Sequence, residues 1–84
     1  MSELSQLPNI GEILEGKIMD VEVKTPEELR LIGSKEVFIR IKMMDDTACY
    51  NMLCALEGAV QGIRWHNLSE TVKKDLKCFF QSIK

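Results

Sequence analysis

The side chains best equipped for chemistry are three cysteines (Cys49, Cys54 and Cys78), one histidine (His66), and the adjacent carboxylates Asp45 and Asp46. A thiol or hydroxyl nucleophile needs a base beside it, and a metal needs convergent His, Cys, Asp or Glu ligands. The chain has no second histidine and no CxxC pair, and its cysteines are not spaced as ligands. Asp45, Asp46 and Thr47 stand where the N-cap of a following helix belongs, which accounts for them without a reacting centre. GEILEG spaces two glycines like the start of a phosphate loop, but Lys17 is followed by Ile18 where Ser or Thr is required. The expectation is a non-enzymatic protein with no catalytic, cofactor or metal site and no small-molecule substrate.

Binding is the remaining chemistry, and two sets of residues are candidates for it. LPNIG, residues 7–11, has the look of the glycine-flanked turn of a helix-hairpin-helix module, whose backbone amides hold a phosphate at a helix start. Asn9 and Gly11 are the candidate contacts, opposed by the like charge of Glu12 and Glu15. Lys73, Lys74 and Lys77 on the outer side of the last helix are candidate phosphate contacts of the sequence-independent kind. Residues 67–84 carry four lysines, Lys84 included, against Glu70 and Asp75, although the whole chain has a net charge of −2. The second set is apolar: Met43, Met44 and Phe80 are candidates for an adaptable surface that captures a protein partner or a second copy.

These residues must be carried by a small scaffold. The chain has 84 residues, enough for one domain spanning 1–84 with one core, and residues 1–6 hold little that can pack. Its 45% hydrophobic and 29% charged content is that of a globular domain. No uncharged run reaches the ~18 residues of a membrane span, and the N-terminus lacks a signal-peptide pattern. An odd number of cysteines without paired spacing fits reduced thiols. A cytoplasmic protein without membrane contact is expected.

Apolar spacing of three or four predicts about five short helices. Ile10, Ile13, Leu14, Ile18 and Val21 form the stripe of the first, which begins after the LPNIG turn. Thr25, Pro26 and Glu28 supply an N-cap, a proline at the first helical position and a capping-box glutamate for a second helix that Gly33 ends. Ser34 is placed to cap a third, with Val37, Phe38, Ile41 and Met44 on one face and a Glu36–Arg40 ion pair on another. The fourth carries Cys49, Met52, Leu53, Leu56 and Val60, with Ala48, Ala55, Gly58, Ala59 and Gly62 as a small-residue stripe for close packing. Gly62 stops it, Trp65 is placed to cover the core beyond it, and Ser69 caps a fifth helix with Val72, Leu76, Phe79, Phe80 and Ile83 inward.

Taken together and in order, LPNIG, TPEELRLIGS, CYNMLCALEGAVQGIRW and NLSETVKKDL resemble the C-terminal domain of the TfoX/Sxy competence regulators. ALEGAVQG followed by Trp65 is the most specific part. The resemblance implies an all-α bundle of about five helices related to helix-hairpin-helix and SAM-like folds, in a stand-alone form without the α+β domain that precedes it in longer members. It also implies a theme of bacterial gene regulation linked to competence, and it brings no catalytic or ligand-binding residues. The leading expectation is a domain acting through protein contacts; the alternative is a nucleic-acid-binding module using the LPNIG turn and the terminal lysines.

Overall fold

Gly33 joins two helices without any further linker, and its backbone explains how. At φ 93° and ψ 155° it occupies a region closed to residues with a Cβ, so one helix ends and the next begins across a single residue. The computed structural model describes residues 3–83, and among them the regular elements are five α-helices and two 3₁₀ turns. The helices are α1 (Glu12–Asp20), α2 (Pro26–Ile32), α3 (Ser34–Met44), α4 (Tyr50–Gln61) and α5 (Glu70–Ser82). Lys84, counted above among the terminal lysines, lies outside the described residues, as do Met1 and Ser2.

Several boundaries follow the local signals. Thr25 Oγ1 accepts the Glu28 N–H at 3.1 Å, while the Glu28 carboxylate accepts the Lys24 N–H at 3.0 Å, so α2 starts on a two-way cap. Ser69 Oγ accepts the Val72 N–H at 3.1 Å and starts α5. Gly62 ends α4 in the left-handed conformation at φ 76°, and Arg40 Nε donates to Glu36 at 3.1 Å along α3.

Other boundaries correct the expectation. Ser34 does not cap α3; it is the helix's first residue, buried, and its hydroxyl donates to Glu57 Oε1 of α4 at 2.6 Å. Asp45, Asp46 and Thr47 do not cap α4, whose N-cap is Cys49 without a side-chain bond. The Asp45 carboxylate instead accepts from the Thr47 N–H at 3.0 Å and from Lys17 on α1, tying the α3–α4 loop to α1. Residues 3–6 do pack: they form a 3₁₀ turn whose Leu4 is completely buried.

The core lies around α4, which touches α2, α3, α5 and the 3₁₀ turn Trp65–Asn67. Leu53, Leu56 and Ala59 of α4 meet Phe38 and Ile41 of α3, Leu29 of α2, Ile18 of α1 and Leu76 of α5, all of them buried. Phe80 closes this core from the side, its ring 5.9 Å from Phe38 and 6.0 Å from Tyr50. Ile13 and Cys49, both placed on inward stripes by their spacing, are exposed, whereas Met44, on a stripe but also a candidate for the partner surface, lies outside at the last position of α3. Trp65 is also exposed, stacked on His66 at 4.6 Å instead of covering the core.

Candidate functional site

Asn9 is held at φ 70°, a conformation asparagine accepts more readily than most residues. This turns its side chain inward onto the end of α4. Its amide Nδ2 donates to the Ile63 carbonyl at 3.0 Å, and its Oδ1 accepts the Trp65 N–H at 3.1 Å. Gly58 makes room: a Cβ there would sit 2.8 Å from the Ile63 carbonyl oxygen and press on the Asn9 amide. The small residue of ALEGAVQG thus serves the LPNIG turn, not a neighbouring helix axis.

The candidate phosphate contacts are therefore arranged as follows. Asn9 has both polar atoms engaged within the fold, and Gly11 is exposed at the start of α1 beside Glu12. Lys73 is half-buried and its ammonium reaches the His66 carbonyl at 3.4 Å, whereas Lys74 and Lys77 point to solvent. Lys35 of α3 pairs with Asp75 of α5. The Trp65–His66 main chain joins the two candidate elements: the Trp65 N–H donates to Asn9 Oδ1 and the His66 carbonyl accepts from the Lys73 ammonium, while the two rings stack on each other. This bridge had no sequence signal beyond an aromatic next to a histidine.

The candidate apolar residues divide into three environments. Met43 is 82% exposed and lines a shallow hollow with Ile39, Lys42 and Ile83. Met44 is 65% exposed and lines a different hollow, with Lys17 and Asp20 of α1. Phe80 is half-buried, with the Lys42 ammonium 5.8 Å from its ring centre. Ile13, which the helical stripe marked as inward, and Leu31, which no stripe marked, are further exposed apolar residues at 79% and 87%.

The titratable groups with altered affinity for protons are both structural. Hydrogen bonding to Lys17, then to Thr47, holds the Asp45 carboxyl well below the usual carboxylate range. Burial pushes the Tyr50 phenol up to about 12, aided by neighbouring Cys54 and by the negative charge of Glu70. Its hydroxyl donates to the Lys73 carbonyl at 3.1 Å, fixing α4 to α5. Cys54 is a buried free thiol, and Cys49 and Cys78 are exposed ones. Among the described residues no three His, Cys, Asp or Glu side chains converge as metal ligands, and no helix is long and apolar enough to cross a membrane.

A surface hollow of about 760 Å³ runs between the start of α3 and α5. Much of its polar lining is paired, Ser34 with Glu57, Lys35 with Asp75 and Glu36 with Arg40, and Lys35 also lies 5.4 Å from the Phe79 ring centre. The hollow contains no histidine, and the hydroxyl of Ser34 faces only a carboxylate.

Comparison with known proteins places this geometry among relatives. A crystal structure of an uncharacterized protein from Listeria monocytogenes, in a triclinic form, is 55% identical and superposes with a TM-score of 0.94, covering 95% of this chain and 91% of that one. A tetragonal form of a protein of unknown function from the same organism is 54% identical, also at a TM-score of 0.94, covering 96% and 99%. Protein Sxy of Escherichia coli strain K12 is 33% identical over 60 residues, 71% of this chain, and the match spans 29% of Sxy. The family model described as the TfoX C-terminal domain matches residues 1–80. The chain belongs to the TfoX C-terminal domain family.

Proposed function

We propose that this domain is a non-enzymatic interaction module that acts through protein contacts in bacterial regulation, in the cytoplasm. The observation that carries this reading is the set of large apolar side chains left outside a well-filled core: Ile13, Leu31, Met43 and Met44. Of these, Ile13 and Met44 border the two hollows along α1, where grouped apolar surface suits a partner, and the flexible thioether of Met44 adapts to varied partners. A link to competence is supported by the likeness to Sxy and by the family. Affinity capture from the native cytosol, with and without nuclease, tests the reading. A partner retained after nuclease treatment supports it; capture that nuclease abolishes opposes it.

A second reading has one specific observation in its favour, the exposed Trp65–His66 stack, whose main chain connects the LPNIG turn to Lys73. An exposed aromatic beside lysines is a usual element of single-strand nucleic-acid surfaces. Fluorescence anisotropy at low salt decides it: micromolar association that weakens steeply with salt supports a nucleic-acid module, and a flat titration removes it.

A further inference from the structure

We propose that the α1 face is a docking groove for a basic amphipathic helix of a partner protein, an inference that rests on the protein-contact reading above. Two hollows lie against opposite halves of α1. The larger, about 470 Å³, is lined by Ile13 and Leu14 with Met52 of α4; the smaller, about 120 Å³, by Asp20 with Ile41 and Met44 of α3. Lys17 borders both, its ammonium committed to Asp45. At 1.5 Å per residue the two hollows are centred about 9 Å apart along α1, close to the separation of anchors one or two turns apart on a helical ligand.

Charge selects the ligand. The charged residues lining the two hollows are Glu12, Asp20, Asp45 and Lys17, so this face holds the entire net charge of −2 that the sequence carries. Elsewhere acidic and basic side chains balance. A second copy binding through the same face would set like charge on like charge in an isologous contact, and a nucleic acid would be repelled by it. A helix with apolar anchors and flanking lysines or arginines is complementary in both respects. Its anchors enter the two hollows, and its cations meet Glu12 and Asp20 at either end. Met44 and Met52 give the groove walls that adjust to anchors of different shape.

The test uses the full chain and a fluorescein-labelled synthetic peptide of about 18 residues with leucines on one helical face and lysines on the other. Its control replaces every lysine by glutamate. The lysine peptide should bind at least about tenfold more tightly than the glutamate peptide. Ile13→Asp, at an exposed position, and the double variant Glu12→Lys/Asp20→Lys should each weaken it by about tenfold or more, while Lys74→Ala/Lys77→Ala leaves it unchanged. Amide shifts in heteronuclear NMR should concentrate in α1, residues 41–45 and Met52. Equal binding of the two peptides, or wild-type affinity in both groove variants, overturns the proposal. So does duplex DNA that shifts the same α1 amides. Failure of the lysine peptide alone removes the groove assignment and leaves the protein-contact reading standing, because the nuclease-treated capture measures that reading independently.

Discussion

Replacing Gly58 by alanine sets two effects of known size against each other. In an exposed helix interior alanine is favoured over glycine by about 1 kcal/mol. Here the added Cβ would lie 2.8 Å from the Ile63 carbonyl oxygen and 3.2 Å from the Trp65 nitrogen, both backbone atoms, besides pressing on the Asn9 amide. Overpacking of this kind costs about 1–3 kcal/mol. The two hydrogen bonds of Asn9, at 3.0 and 3.1 Å, contribute about 1 kcal/mol each and are displaced with it. The balance is a net destabilisation of about 2–4 kcal/mol, read by urea unfolding followed by circular dichroism. In a chain of 84 residues each kcal/mol corresponds to about 4–8 °C in melting temperature. Asn9→Gly, which keeps the positive φ and removes the amide, should reduce the cost of Gly58→Ala by about 2 kcal/mol in a double-mutant cycle. If Gly58→Ala stabilises the domain, or the two substitutions prove additive, the stapled turn is not what the glycine serves.

Ala59→Leu, at a completely buried position, should destabilise by about 1–3 kcal/mol in the same assay, and Ala55→Leu, at a half-buried one, by less; a neutral Ala59→Leu would contradict the packing of α4. Gly33→Ala should cost about 1–3 kcal/mol through backbone strain alone, since nothing lies within 4 Å of an added Cβ. The Asp45 carboxyl holds its proton less tightly when folded than when unfolded, so its contribution is present above the unfolded pKa, near about 4, and is lost as pH falls through the folded value. The stability gap between wild type and Asp45→Asn should therefore narrow as pH is lowered below about 4; a gap that stays constant in acid excludes the Lys17 contact as its source.

What the sequence made legible was local. The helices, the Thr25 and Ser69 caps and the Gly62 stop all depend on residues within a few positions of one another, where spacing carries the information. Polar contacts across the chain were not legible. Asn9 meets Ile63 across 54 positions, Ser34 meets Glu57 across 23, and Lys17 meets Asp45 across 28. Ser34 and Asp45 have the residue types of helix caps, and only tertiary packing shows that their oxygens are used elsewhere. Ile13 fitted a helical stripe because period alone does not reveal which side of α1 the core reaches. Met43 and Met44, next to each other in sequence, diverge because neighbours on a helix point about 100° apart. The groove against α1 was invisible for the same reason, as its walls come from α1, α3 and α4.

The most direct measurement of the central claim is affinity capture from nuclease-treated native cytosol with three baits in parallel: wild type, Ile13→Asp, and Lys73→Ala/Lys74→Ala/Lys77→Ala. Interaction through the apolar, acidic face of α1 predicts the same partner on the wild-type and lysine-variant baits and its loss from the Ile13→Asp bait. A partner that stays on the Ile13→Asp bait and disappears from the lysine variant would contradict the account and move the binding surface to α5.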